Sequence, residues 1–262
     1  MTKQNTRHVP NYKLRFILLI TAALLCVLFS FAVGRFPVSL SDVIMVFATE
    51  IFKLDITWDF ATWSTVINIR LPRILAAFFV GAALATAGAA YQGMFQNPLV
   101  SPDILGASSG AGFGAALAIF MNLGPVWITA FAFAGAVICV GAAYVVSRLT
   151  KGSATLSMVL AGILVSSLFT AMTSFLKTVA DTEDQLPEIT YWLMGSLAGA
   201  DMSDVIFAGV LITAGIIPIF LLRWRMNVLT LGEDEAKSMG LNPHRLRLVV
   251  VACATLITAA AV

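Results

Sequence analysis

Apolar residues in this chain are gathered into long runs that short polar segments separate. The predicted membrane spans are residues 16–34, 71–94, 104–121, 126–149, 157–178 and 205–222, and a last run from about residue 246 to 262. At about 1.5 Å per helical residue, runs of this length cross a hydrocarbon core of about 30 Å. The pattern predicts an all-α, polytopic membrane protein with six to seven spans.

The composition agrees with a membrane protein and does not indicate a soluble domain or a nucleic-acid partner. Hydrophobic residues make up 59% of the 262 residues and charged residues 11%, against about 25% charged residues in an ordinary soluble domain. No soluble domain fits between the runs, so we expect a single transmembrane domain over residues 1–262, in contact with membrane lipid. A net charge of +2 does not indicate a nucleic-acid partner.

Basic residues indicate how the spans are oriented. With the N-terminus in the cytoplasm, 11 of the 16 Lys and Arg residues fall in cytoplasmic segments and 5 outside. Basic residues are enriched in cytoplasmic loops of membrane proteins. The sequence therefore predicts a multi-pass protein of the plasma or inner membrane with a cytoplasmic N-terminus.

Two external segments carry helical patterns of their own. Residues 37–52 have helical apolar spacing with Ser41 as a possible N-cap, which predicts a helix on the membrane surface. Residues 187–197 begin with Pro and Glu and contain Tyr191 and Trp192, as an interfacial helix would.

One cytoplasmic segment, residues 223–247, predicts short helices. A helix should begin at Glu233, pair Glu233 with Lys237 and close at Gly240 in a left-handed conformation. A second turn should follow at Pro243, so that two short helices lie flat on the membrane face. The segment is either a solvated loop or a rigid docking surface for a cytoplasmic partner.

Small residues recur every four positions on two spans. Gly106, Gly110 and Gly114 line one stripe of the third span, and residues 81, 85 and 89 (Gly81, Ala85 and Ala89) line one on the second. Such stripes let helices approach closely. We therefore expect the second and third spans to form the packed centre, and helix packing alone explains the glycines.

An irregular polar stretch, QNPLVSPDILGASSGAG, joins those two spans. Each proline removes a backbone donor and restricts the residue before it. Irregular backbone at membrane depth is tolerated only where protein buries it or a water-filled cavity adjoins it. The stretch is either a plain cytoplasmic turn or part of a gated path, and the residues that suggest a path are Gln92, Gln96, Asn97 and Asp103.

Three motifs together resemble one known family. Residues 70–115, RLPRILAAFFVGAALATAGAAYQGMFQNPLVSPDILGASSGAGFGA, are similar to the signature region of the FecCD permeases of ABC transporters. YWLMGSL at residues 191–197 and LGEDEAKSMGL at residues 231–241 resemble two further family segments in the same order. The resemblance covers almost the whole chain.

The resemblance implies a type II ABC importer permease with about ten transmembrane helices in full-length members. It implies a second permease subunit, a dimer of cytoplasmic ATPases and a periplasmic or lipoprotein substrate-binding protein. The implied cargo is an iron-siderophore, cobalamin or haem. No catalytic residue, resident metal or cofactor is expected, and no G-x-x-x-x-G-K-[ST] loop occurs, so a separate subunit would hydrolyse ATP.

The resemblance also assigns roles to individual residues. It gives the cytoplasmic gate and the path to Gln92, Asn97, Pro98 and Leu99. It gives ATPase coupling, within residues 228–247, to Gly232, Glu233, Ala236 and Gly240. It gives docking of the binding protein to Arg70 and Arg73, and for Arg73 a side chain that only snorkels toward the outer interface is an equal alternative.

One departure from the family concerns length, and one alternative function stays open. Family members continue beyond the point where this chain stops in its seventh span, so we expect a fragment of a longer product or a truncated, non-functional permease. The alternative is a secondary transporter or channel that works without an ATPase. That alternative predicts ionisable residues in the middle of the spans, and the spans are almost free of them.

Overall fold

A computed structural model describes residues 12–53, 59–150 and 154–262, and these residues form helices and connecting turns without strands. The described chain divides into two compact units, Met1–Leu75 and Ala76–Val262, each described by itself below. The helices are α1 (Tyr12–Ala32), α2 (Leu40–Phe52), α3 (Phe60–Ser64), a π-helix (Thr65–Arg70), α4 (Leu71–Phe95), α5 (Ala107–Phe120), α6 (Pro125–Leu149), α7 (Ala154–Val179), α8 (Gln185–Met194), α9 (Met202–Leu229), α10 (Glu233–Ser238) and α11 (Pro243–Ala261).

Six helical stretches in the described residues are long and apolar enough to cross a membrane: Tyr12–Ala32, Phe60–Phe95, Pro125–Leu149, Thr155–Val179, Met202–Leu229 and Pro243–Ala261. The predicted second span, residues 71–94, began too late, since the helical stretch already starts at Phe60.

The third predicted span, residues 104–121, is helical only from Ala107 to Phe120. Its helix, α5, has only 14 residues and rises about 21 Å, which is less than the core thickness of about 30 Å. The cause lies at Gly106, whose φ of 81° is left-handed and prevents the helix from starting earlier. Ile104 and Leu105 therefore belong to the turn before α5, although they are as apolar as the helix.

The first unit is built around the segment that follows α1. Its core contains Phe31, Val38, Val43, Val46 and Val66. The predicted helix is confirmed as α2, but the N-cap is Ser39 and not Ser41. Ser39 Oγ accepts from the Asp42 N–H at 3.1 Å, and Asp42 accepts from the Ser39 N–H, which completes a capping box that Ser41 has no acidic partner to form.

The second unit has α5 at its centre. Most of α5 is buried, and it packs against α6, α7 and α8. Glycines allow this approach: a Cβ added at Gly110 would strike the Gly135 carbonyl of α6, and one at Gly114 would strike the Phe131 carbonyl. The neighbour of both glycines is α6 rather than the second span.

The long helix α9 lies in the chain between two shorter helices, α8 and α10. The helix α8 begins two residues before the predicted position, and Gly195 is its C-cap. Gln185 Nε2 at its start donates to the Phe120 carbonyl at the end of α5, 3.0 Å away. Asp201 caps α9 by accepting from the Asp204 N–H at 2.9 Å. The other end of α9 leads through residues 230–232 to α10.

Candidate functional site

The turn after α4 is tight and exposed. Gln96 adopts a left-handed φ of 51° that ends the helix. The Leu99 N–H donates to Asn97 Oδ1 at 2.9 Å, and Gln92 Nε2 donates to the Val100 carbonyl at 3.3 Å. We call residues 96–100 the gate loop. Of the four residues to which the resemblance assigns the gate, Asn97 and Pro98 are exposed in this loop, Leu99 is 88% exposed, and Gln92 is bonded to the last residue of the loop.

One face of α4 is exposed in the second unit. Gly81 has no neighbour within 4 Å of an added Cβ, and Ala85, Ala89 and Gln92 are exposed like it. The buried face carries Ala83, Ala87, Ala90 and Tyr91 instead. The prediction that Gly81 packs against a neighbouring span of the same chain is therefore wrong, because the small stripe points away from the unit's core. It continues through Gln92 to the gate loop.

A cleft of about 530 Å³ begins at Ser101, directly after the gate loop, and the sequence interpretation missed most of it. The segment before α5, α5 itself and one face of α7 form its walls, lined by Ser101, Asp103, Ile104, Ser109, Ile163, Ser166, Ser167, Thr170, Ala171 and Ser174. The missed signal was a row of hydroxyl side chains three or four positions apart on α7, which places them on one helix face. Asp103, noted as part of a path, is the one carboxylate in this lining; its Oδ1 accepts from the Ser108 N–H at 2.7 Å.

The segment after α9 forms the predicted short helix. The helix α10 begins at Glu233, and Gly232 before it has a φ of 127°, which only glycine adopts readily. Gly240 has the predicted left-handed φ of 79°. Ala236 is fully buried in the core of the second unit, so the prediction that it contacts an ATPase is wrong and its side chain instead anchors α10.

Two further details of this segment differ from prediction. The ion pair of Lys237 is with Asp234, 3.1 Å away, rather than with a residue four positions earlier. Both side chains are largely exposed, so the pair adds little stability. Pro243 does not begin a second short helix; it is the first residue of α11, which runs on to Ala261. Proline is favoured at that position because its missing N–H would have no helical partner.

The two arginines predicted to dock a binding protein have different surroundings. Arg70 is only 8% exposed, and its guanidinium donates to the carbonyls of Phe31 and Phe36. A Cβ added at Gly34 would lie 2.7 Å from Arg70 Nη2. The docking prediction is therefore wrong for Arg70, whose side chain instead fixes the end of α1 and the turn after it by binding a carbonyl of each. Arg73 is exposed.

Buried charge is scarce in this part of the chain. Among the side chains that the structure describes, the buried charged ones are Arg70 and Arg247, and every described carboxylate is at least partly exposed. His244, at the start of α11, lies 3.1 Å from Arg148 through its Nδ1 atom. Four basic residues or histidines lie outside the described residues: Lys3, Arg7, His8 and Lys151.

Comparison with known proteins decides the family. The family model described as the FecCD transport family matches residues 20–262. The chain belongs to the FecCD transport family.

FecCD relatives with assigned names differ in what those names say they import. The molybdate import system permease protein MolB of Haemophilus influenzae is 35% identical over 92% of this chain and 69% of its own length. A probable iron chelatin transport system permease protein of Helicobacter pylori is 38% identical over 75% of this chain and 59% of its own length. The chain thus spans between about three fifths and two thirds of these two relatives.

A solved structure described as an inward-facing metal-chelate type ABC transporter has the same fold as this FecCD chain. It superposes with a TM-score of 0.81 at 31% sequence identity, over 94% of this chain and 74% of the other. The all-α permease fold expected from the sequence is confirmed.

Proposed function

We propose that this chain is a permease subunit of an ABC importer and forms half of a gated path for a metal chelate. The observation that carries the proposal is the hydroxyl-lined cleft beside the gate loop. Ser167 and Ser174 donate to backbone carbonyls of their own helix, and their hydroxyl oxygens can still accept hydrogen bonds from a cargo in the cleft. A path through which a polar cargo passes accounts for their place on α7.

The short helix α5 supports a path at this position. Because α5 rises only about 21 Å, the irregular residues 97–106 have to cover the remaining depth of the membrane. Irregular backbone at that depth is tolerated beside a cavity, and the cleft supplies one. We assign Gln92, Asn97, Pro98 and Leu99 to the path and its cytoplasmic gate.

An iron-siderophore is the cargo that we propose, with cobalamin and haem as the related alternatives. One relative is named for iron chelatin transport and another for molybdate import. The cleft holds six hydroxyl side chains and one carboxylate, Asp103, and no basic residue. A small oxyanion would meet the like charge of Asp103, whereas a large chelate can be held by many hydroxyl contacts.

The energy source that we propose is a pair of ATPase subunits that dock on residues 228–247, the coupling segment. Apolar Leu231 and Met239 are exposed at either end of α10, 63% and 59% respectively, and exposed apolar side chains at a polar face indicate a protein contact. Gly232, Glu233 and Gly240 belong to this contact surface, and the buried Ala236 fixes its position.

The remaining partners follow from the two exposed faces. A second permease subunit, identical or related, would cover the small face of α4, where Gly81 permits close approach. An external binding protein would meet Arg73 through carboxylates, since opposite charges orient docking. The apolar, largely exposed α1 would face lipid in a membrane whose cytoplasmic side holds the N-terminus.

Charge reversal in the coupling segment tests the proposal. The protein encoded by the complete reading frame is reconstituted in liposomes with its ATPase and loaded binding protein. ATP hydrolysis is then measured for wild type, Glu233→Arg and Glu183→Arg. Glu183 precedes α8 and is exposed, so its reversal makes the same charge change on the opposite face. We expect Glu233→Arg alone to lose stimulation of hydrolysis. Normal stimulation in Glu233→Arg would contradict the assignment of the coupling segment.

A further inference from the structure

The gate loop and the coupling segment meet at one backbone atom. Gln96 Nε2 donates to the Leu229 carbonyl oxygen at 2.9 Å. The Gly232 N–H donates to the same oxygen at 3.3 Å. Leu229 is the last residue of α9 and is buried, and Gly232 directly precedes α10. This carbonyl, which itself belongs to the coupling segment, therefore accepts one hydrogen bond from the gate loop and one from the residue before α10.

Hydrogen bonds within the gate loop hold its residues together, so we expect a displacement of Gln96 to move the whole loop. The Asn97 N–H donates to the Gln92 carbonyl at 3.2 Å, and the Val100 N–H donates to the Asn97 carbonyl at 3.3 Å. With the bond from the Leu99 N–H to Asn97 Oδ1, these contacts make a closed turn. Such a turn moves as one piece rather than by bending residue by residue.

The start of the coupling segment is braced in the same way. The Ala236 N–H donates to the Gly232 carbonyl at 3.1 Å, and the Leu241 N–H donates to the Ala236 carbonyl at 3.0 Å. Ala236 is fully buried. Displacement of α10 therefore carries Gly232 with it, and with Gly232 the carbonyl to which Gln96 is bonded.

The backbone at Gln96 shows what its side chain contributes. Its φ of 51° lies in the left-handed region, where glycine is favoured and other residues are strained. Backbone geometry alone would therefore be satisfied best by glycine. Glutamine adds an amide that is long enough to reach from the end of α4 to the end of α9.

We propose that Gln96 is a positioning residue that transmits movement of the coupling segment to the gate loop. The inference rests on the proposed function, since it needs a gate and an ATPase contact. The inference adds the contact between the gate and the ATPase contact, which is the hydrogen bond from Gln96 Nε2 to the Leu229 carbonyl. Energetic coupling between sites is carried by such contiguous contacts.

Two substitutions remove the amide donor by different routes. Gln96→Gly keeps the left-handed backbone and deletes the side chain, and Gln96→Glu keeps the side-chain size but cannot donate when ionised. The matched control is Gln185→Ala, which removes an amide-to-carbonyl bond of similar length, 3.0 Å, between α8 and α5. All are made in the complete reading frame and reconstituted with the ATPase and binding protein.

The measured quantity is the number of cargo molecules transported per ATP hydrolysed, together with basal hydrolysis and the thermal midpoint. We expect Gln96→Gly and Gln96→Glu to lower the number of cargo molecules transported per ATP at least about threefold, within the range that one residue on a coupling route produces. Gln185→Ala should lower the thermal unfolding midpoint about as much as the Gln96 variants do. It should keep the wild-type number of cargo molecules transported per ATP.

The outcomes separate the inference from the function on which it rests. A wild-type ratio retained in both Gln96 variants, or lost equally in Gln185→Ala, would overturn the role of Gln96 while the importer remains. A wild-type complex without ATP-dependent transport would overturn the proposed function and the role of Gln96 with it.

Discussion

Gly110 and Gly81 illustrate how differently two glycines of similar motifs behave. Both belong to four-residue small stripes in the sequence, yet Gly110 faces the Gly135 carbonyl while Gly81 faces open space. The spacing establishes that a helix has a small face. It does not establish whether that face meets the same chain or lies open to something else.

Alanine at Gly110 should destabilise the second unit. The added methyl would meet the Gly135 carbonyl and lie 2.5 Å from the Cys139 Cβ, and overpacking of this kind costs about 1–3 kcal/mol. Thermal unfolding of the purified protein in detergent measures the effect. Gly141→Ala in α6 is the control, because an added Cβ there has no neighbour within 4 Å. Equal midpoints for the two variants would contradict the described α5–α6 contact.

Arg70 shows a limit of motif-based assignment at the same scale. The resemblance predicted a docking residue, and nothing in the local sequence indicates that the guanidinium turns inward to two carbonyls 39 and 34 positions earlier. Contacts over such a sequence separation depend on the tertiary fold. The exposed Arg73, three residues later, keeps the predicted role as a proposal.

Helix boundaries were predictable where a cap or a strong breaker marks them. Gly240 and the start of α10 were correctly predicted, since acidic residues and glycine define both ends. The start of α5 was missed because Ile104 and Leu105 continue the apolar run, and hydropathy does not report the left-handed φ of Gly106. The role of Pro243 was missed for a related reason: proline starts long and short helices equally well.

The start of α9 gives a pH-dependent prediction. Backbone and hydroxyl hydrogen bonds from Asp204 and Ser203 lower the pKa of Asp201. A carboxylate with a lowered pKa stabilises the folded state above its unfolded pKa of about 3.9, and loses this contribution as the pH falls through the folded value. Protection of the Asp204 amide from hydrogen exchange should therefore decline below about pH 4.

Asparagine at position 201 provides the control for this effect. Asn caps helices well but does not titrate in this range. In Asp201→Asn the contribution of residue 201 to the acid loss of protection should vanish while the cap persists at neutral pH. A decline as steep as that of wild type would show that another group causes it.

At the scale of the whole molecule, the sequence predicted the class of protein and the place of the gate loop. Long apolar runs identify membrane helices because the bilayer requires them, and two prolines identify a break. It did not predict the hydroxyl cleft, because Ser and Thr on an apolar helix commonly bond to their own backbone. Ser167 does so, donating to the Ile163 carbonyl at 2.8 Å, and it still lines the cleft.

Orientation in the membrane is a prediction of the charge distribution and can be measured by labelling. In a background without Cys26, Cys139 and Cys253, single cysteines replace the exposed residues Leu231 and Tyr191. A membrane-impermeant maleimide should label Tyr191→Cys in intact cells, and Leu231→Cys only after the cells are opened. The reverse pattern would contradict the cytoplasmic N-terminus.

The central claim is that this chain belongs to the path of an ATP-driven importer, and uptake by reconstituted vesicles tests it most directly. Accumulation of a radiolabelled iron-siderophore is followed with ATP, with ATP but without binding protein, and with an ion gradient in place of ATP. The account predicts accumulation only when ATP and the loaded binding protein are both present. Accumulation that an ion gradient alone supports would contradict it and establish a secondary transporter instead.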